Sequence, residues 1–189
     1  MPDAGRVIAG IAKSIRLDAP GPGTRPLADR VKQTLFAILE PDLPGSRFLD
    51  LFAGSGAAGI EALSRGAAHA TFVEHDAKAI AVIRANLERA GFGGPAHATV
   101  VRADARTWLA SLAAASTFDL VVIDPPYDEP ATLTASLEAT APHLVPGARV
   151  VAKHFWRTAP PASVGLLASE RVRRFGETAL TFYRLTEGA

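Results

Sequence analysis

The residues best placed to do chemistry are acidic, and each one closes an apolar, strand-like run: Asp50, Glu74, Asp104 and Asp124. Asp124 has the most telling surroundings. Phe118-Asp119-Leu120-Val121-Val122-Ile123 reads as a strand buried on both faces, and Pro125-Pro126-Tyr127 follows Asp124 at once. The prolines lack N–H groups and fix φ, so the strand cannot continue in its ladder. A carboxylate, the Pro125 carbonyl and an aromatic ring are left at the sheet edge. Such a corner accepts hydrogen bonds and stacks on a flat partner. A proline turn with a surface tyrosine would explain Asp-Pro alone, but not Asp-Pro-Pro-Tyr at the end of so apolar a run.

The second constellation is a glycine turn. Gly54-Ser55-Gly56-Ala57-Ala58-Gly59 fits G-x-G-x-x-G between a strand and a helix, and Glu74 lies twenty residues after Gly54 at the next strand end. Glycines let backbone approach a ligand closely, and a carboxylate at that strand end accepts from two ribose hydroxyls. The pattern calls for an adenosine-type cofactor. Asp50 decides which one, because a carboxylate four residues before the first glycine repels a pyrophosphate but suits a cationic amine. Asp104 can accept from an adenine amino group or cap a helix. The set favours S-adenosylmethionine over NAD, so an NAD-dependent dehydrogenase is the weaker reading. No metal-ligand spacing surrounds His75 or His154, and no metal is expected.

Positioning these residues requires alternating strands and helices. Strands are predicted over Phe48–Phe52, His69–Glu74, Thr99–Val101, Phe118–Asp124 and Arg149–Ala152, with helices between them ending at Gly66, Gly91, Leu112 and Pro142. That rhythm predicts an α/β fold with a parallel sheet covered on both faces. Ser169–Phe175 and Ala179–Leu185, joined by Gly176-Glu177, predict a C-terminal antiparallel hairpin. Arg6–Gly10 and Ser14–Leu17 predict a small N-terminal hairpin. A breaker cluster, residues 20–26, separates it from a helix bearing Val31, Leu35, Ile38 and Leu39 on one face.

The chain has 189 residues, 48% of them hydrophobic and 21% charged, which suits one soluble domain. It contains no cysteine, so disulfides and thiol chemistry are excluded. Arg6, Lys13 and Arg16 interrupt every short apolar run at the N-terminus, so no signal peptide is expected and the predicted compartment is the cytoplasm. No apolar run is long enough to span a bilayer, and no membrane association is expected. The net charge of +1 is unevenly spread. Residues 1–32 carry six Lys or Arg against three Asp or Glu, and residues 149–177 carry six against two. Basic flanks around an acidic centre suit a polyanion held at both ends.

The motifs resemble a known family. Asp50-Leu51-Phe52-Ala53-Gly54-Ser55-Gly56 is similar to the first motif of class I methyltransferases, and Val121–Tyr127 to their amino-methylating motif. Gly23-Thr24-Arg25-Pro26, Asp29-Arg30-Val31, Leu35-Phe36, Glu61–Ala67 and Phe175–Leu180 resemble the RsmD family, across nearly the whole chain and in order. Departures are Ile11–Ile15 where the family usually has a second glycine and more basic residues, Leu27 in place of a threonine, and Lys153-His154 where a Glu is common.

The resemblance implies a Rossmann-like class I fold with a seven-stranded, mostly parallel sheet. Residues 1–26 would be a hairpin extension for RNA docking, and residues 27–189 the methyltransferase domain. It implies methylation of a guanine N2 amine in small-subunit ribosomal RNA, at position 966, with an adenine-N6 methyltransferase as the alternative. Asp124, Pro125 and Tyr127 would be catalytic. Asp50, Phe52, Gly54, Gly56, Glu74, His75, Asp104 and Ala105 would hold the cofactor, and Lys13, Arg16, Arg25, Arg30 and Pro126 the RNA. Arg171, Arg173 and Arg174 are further phosphate candidates. The implied partner is ribosomal RNA within a small-subunit particle, met by a monomer.

Overall fold

The structure is a computed structural model that describes residues 2–21, 27–113, 117–127 and 129–186. Arg25, with its motif Gly23–Pro26, lies outside the described residues. The chain divides into two compact units, Met1–Asp104 and Ala105–Ala189.

The first unit opens with a two-stranded antiparallel hairpin, β1 (Asp3–Arg6) with β2 (Arg16–Asp18), then helix α1 (Asp29–Leu39). Two βα steps and a third strand follow: β3 (Arg47–Leu51), α2 (Ala57–Ser64), β4 (His69–Glu74), α3 (Ala77–Ala90) and β5 (Ala98–Arg102). The strands run parallel in the order β5-β4-β3. Phe48, Leu49, Leu51, Phe72 and Val73 are fully buried in this core. Asp76 caps α3 by accepting from the Ala79 N–H at 2.8 Å, and Gly91, with φ +83°, ends it.

The hairpin strands sit nearer Asp3 and Asp18 than the alternation suggested, because the intervening amides are used elsewhere. The Ile8 and Ala9 N–H groups donate to the two oxygens of Glu61 on α2, at 2.7 and 3.1 Å, and Ala12 N–H donates to Ser64 Oγ at 3.0 Å. Glu61 is fully buried and also accepts from Arg65 at 2.7 Å, so the carboxylate is well compensated. Gly10 lies so close that a Cβ on it would overlap the Ser64 carbonyl. The hairpin is therefore sewn to α2 as part of the first unit.

The second unit contains α4 (Ala105–Ser111), β6 (Phe118–Ile123), α5 (Pro130–Thr140), β7 (Leu144–Phe155), β8 (Ser163–Val164), β9 (Leu167–Phe175) and β10 (Thr178–Leu185). Its strand order is β6-β7-β10-β9-β8. β6 and β7 are parallel, and β10 lies antiparallel to both β7 and β9. β7 runs well past the expected four residues because β6 pairs with it on one side and β10 on the other. The hairpin turn falls at Gly176-Glu177, as the sequence indicates. Among the described residues no helix is long and apolar enough to cross a membrane.

Candidate active site

In the first unit the glycine turn is shaped by backbone geometry. Phe52, Gly54 and Gly56 take φ of +62°, +55° and +75°, and the Gly56 conformation starts α2. A left-handed φ costs a bulky residue such as Phe52 real strain, and strain of that kind concentrates at ligand sites. Gly59 serves packing: a Cβ there would meet the Phe72 ring at 2.2 Å. The turn is then tied from three sides. Glu74 Oε2 accepts from Gly54 N–H and Oε1 from Asp76 N–H, both at 2.9 Å. Asp50 Oδ2 accepts from Gly59 N–H at 2.9 Å, and Asn86 donates to the Ser55 carbonyl at 2.9 Å.

The fingerprint residues Asp50, Phe52, Gly54, Gly56 and Glu74 thus lie in and beside one turn, as the spacing predicts. His75 is exposed beside Glu74, 3.1 Å from its carboxylate. Asp104 is exposed at the last position of this unit, and Ala105, the first of the second unit, is buried. Asp50 is almost fully buried, so one of its oxygens serves the start of α2 before any ligand arrives. The turn fits an adenosine-type cofactor: Glu74 keeps oxygen lone pairs beyond its two backbone bonds, and Gly54 and Gly56, with no side chain, adopt the left-handed backbone and leave room for a ligand.

In the second unit β6 ends at Ile123 and delivers Asp124 to the strand end, followed by Pro125, Pro126 and Tyr127. The corner has a partner that sequence reading missed. Lys153 on β7 places its ammonium 2.6 and 2.8 Å from the two Asp124 oxygens. The same nitrogen lies 5.0 Å from the centre of the Tyr127 ring. Burial pushes the Asp124 carboxyl above the ordinary carboxylate range, and Lys153 only partly opposes this. Burial acts downward on Lys153, but Asp124 and Tyr127 together outweigh it and raise its pKa.

Tyr127 is fixed at its far end. Its hydroxyl shares a 2.9 Å hydrogen bond with Thr178 Oγ1 on β10, and its ring lies 6.4 Å from Phe155. That bond explains why the Gly176–Leu180 segment belongs with the Asp-Pro-Pro-Tyr corner: Thr178 at the start of β10 holds the ring. Trp156 follows Phe155 and lies under the Arg174 guanidinium at 3.5 Å and beside that of Arg157 at 4.9 Å. Arg171, Arg173 and Arg174 are all exposed along β9. His154, next on β7, shares a 2.9 Å bond with Thr181, and its burial lowers its pKa.

The RNA candidates of the first unit divide. Lys13 and Arg30 are exposed, while Arg16 bonds Asp3 at 3.3 Å within the hairpin. Lys32, a basic residue in the same stretch, is fully buried; its ammonium donates to the Arg6 carbonyl and burial lowers its pKa. It is a structural cation, unavailable to a polyanion. Among the described residues no group of three or more His, Asp or Glu could hold a metal ion.

Comparison with known proteins converges on one group. The family described as conserved hypothetical protein 95 matches residues 5–184. YlbH of Bacillus subtilis, provisionally named an rRNA methyltransferase, is 40% identical over 184 residues, covering 95% of this chain and 98% of that protein. Ribosomal RNA small subunit methyltransferase D of Escherichia coli is 41% identical over 123 residues, 65% of this chain and 60% of the relative. Among solved structures, the Escherichia coli protein yhhF, provisionally named a methyltransferase, superposes with a TM-score of 0.82 at 31% identity, covering 97% of this chain and 98% of that one. An RNA methyltransferase from Salinibacter ruber, solved with S-adenosyl-L-homocysteine, shares the fold at a TM-score of 0.66 and 18% identity, over 87% of this chain and 96% of its own.

Proposed function

The chain belongs to the conserved hypothetical protein 95 family, the RsmD family, and has the class I methyltransferase fold; from that premise we propose that it methylates an exocyclic amine of a base in small-subunit ribosomal RNA. The observation that carries this reading is the Asp124–Tyr127 corner: a half-buried carboxylate at a strand end, next to an aromatic ring held by Thr178. The names of the relatives support ribosomal RNA as substrate.

S-adenosylmethionine, held by the Gly54–Gly56 turn, Asp50 and Glu74, supplies an electrophilic methyl group when bound. The rest of the work falls to the protein's own groups. An exocyclic amine is a poor nucleophile because its lone pair is delocalised into the ring. Asp124 and the Pro125 carbonyl accept its two N–H bonds, which favours a pyramidal nitrogen and aims the lone pair. Orientation of this kind is worth several kcal/mol, on the order of the effective-molarity range. No strong base is needed before attack, because the proton leaves afterwards to Asp124 or water. Tyr127 stacks on the base once it has left its own stack, worth about 1–3 kcal/mol.

The basic strand β9, with Trp156 between Arg157 and Arg174, offers phosphate and stacking contacts to the RNA. Residues 1–26 are read as a further RNA-docking element. By the family resemblance the target is guanine N2 at position 966, met by a monomer within a small-subunit particle in the cytoplasm. The test is to incubate the protein with isotopically labelled S-adenosylmethionine and small-subunit RNA or particles, digest, and identify the labelled nucleoside by mass spectrometry. N2-methylguanosine is expected; N6-methyladenosine alone would replace the guanine assignment, and no label in RNA would end the reading.

A further inference from the structure

The geometry around Asp124 poses a conflict, and resolving it assigns a role to Lys153. If Asp124 is to accept an N–H from the target amine, its oxygens must be reachable. In the corner both are held by one ammonium, at 2.6 and 2.8 Å. The same ammonium covers Tyr127, whose ring the base would stack on. The Lys153 side chain is only 9% exposed and that of Asp124 25%, so the pair is largely withdrawn from water.

Resting on the reading above, we propose that Lys153 is a positioning residue that stands in for the base: it holds Asp124 and Tyr127 ready, then transfers its hydrogen bonds as the amine enters. A withdrawn carboxylate cannot be left unpaired without a large penalty. The departing cation must therefore be replaced by a donor in the same place, and the amine N–H aimed at Asp124 is such a donor. The ammonium keeps its proton through the exchange and needs an acceptor of its own. On a guanine N2 amine the neighbouring ring nitrogen that bears no hydrogen, N3, supplies one. The four-carbon stem swings the ammonium by side-chain rotation while β7 stays paired, with Lys153 opposite Leu180 on β10. An apolar side chain at this position could fill the space but could not hold the carboxylate ionised.

The charged and titratable neighbours make the prediction specific. Lys153 faces Asp124 from β7, and Tyr127 stands on Asp124's own loop with its hydroxyl engaged by Thr178. Glu129 and His154 line a recess with Tyr127 and Lys153, and the His154 ring is bonded to Thr181. Burial already favours the protonated form of Asp124, and Lys153 opposes it. Activity needs the carboxylate, so it falls as pH drops through the Asp124 pKa. Removing Lys153 raises that pKa, and the acid limb of the rate profile must move to higher pH. Below the limb, each unit of displacement costs about tenfold in turnover.

The experiment measures methyl transfer to small-subunit RNA against pH for wild type, Lys153→Met and Lys153→Arg. S-adenosylhomocysteine binding by calorimetry confirms that each variant is folded, and Lys153→Gln replaces the methionine variant if that one is not. The expected result is an acid limb displaced upward in Lys153→Met and restored towards wild type in Lys153→Arg. The double variant Lys153→Met/Asp124→Asn should be no slower than Asp124→Asn alone, since the two residues act as a unit. An unmoved limb in a folded variant, or losses that simply add, overturns the role given to Lys153. A wild-type protein that transfers no methyl to RNA overturns the parent reading instead.

Discussion

The glycine turn of the first unit and the Asp-Pro-Pro-Tyr corner of the second both present acidic groups at strand ends, yet they satisfy them by opposite means. Glu74 and Asp50 are held by main-chain N–H groups of Gly54, Asp76 and Gly59. Those donors cannot leave without the turn unfolding, so the turn is preformed. Asp124 is held by a side-chain cation on a flexible stem. That donor can leave. A cofactor that enters and departs with each turnover suits a rigid cradle, whereas a base drawn out of its own stack needs partners that can be exchanged.

Two substitutions probe this contrast most strongly. Asp124→Ala should lower turnover by at least about a hundredfold, the scale expected when a reacting group loses its alignment. Its affinity for S-adenosylhomocysteine should stay at the wild-type value in calorimetry. A parallel loss of cofactor affinity would mean the two regions are not separable. Gly59→Ala should do the reverse. Its added Cβ would meet the fully buried Phe72 ring at 2.2 Å, so overpacking should cost about 1–3 kcal/mol in chemical denaturation. The shift of α2 against β4 should weaken cofactor binding at the same time.

Sequence alone carried the rhythm of strands and helices, because each βα step leaves a local apolar run closed by a breaker. The turn and Glu74 were legible for the same reason, as their spacing follows from one strand–turn–helix–strand unit. What stayed hidden involves residues far apart in the chain. Lys153 sits 29 residues after Asp124, just past the Arg149–Ala152 run that reads as a strand, and only the parallel pairing of β6 with β7 brings them together. Thr178 reaches Tyr127 across 51 residues. The hairpin strands lie a few residues from where the alternation puts them because Glu61 and Ser64 take the amides between them, and no local pattern announces a buried carboxylate on another helix. Composition likewise could not tell the exposed Arg30 from the buried Lys32 two residues later.

The contrast extends to smaller effects. Arg174 belongs to the exchangeable side, since its guanidinium rests on Trp156 and strand β9 is exposed around it. Arg174→Ala should reduce the slope of log affinity for RNA against log salt by about one, while S-adenosylhomocysteine binding is unchanged. A wild-type slope in that variant would remove β9 from the phosphate contacts.

The smallest effect concerns stability and pH. His154 is buried beside the corner, bonded to Thr181, and burial lowers its pKa below the ordinary 6.5. Between 6.5 and the lowered folded value the unfolded chain binds a proton that the folded chain refuses. Stability is therefore full above that window and declines as pH falls through it. Thermal melts of wild type and His154→Gln across the window should differ in slope, with the variant the flatter of the two. Equal slopes would show that His154 accepts its proton in place, and the second unit would then tolerate charge on both sides of β7 rather than only at Lys153.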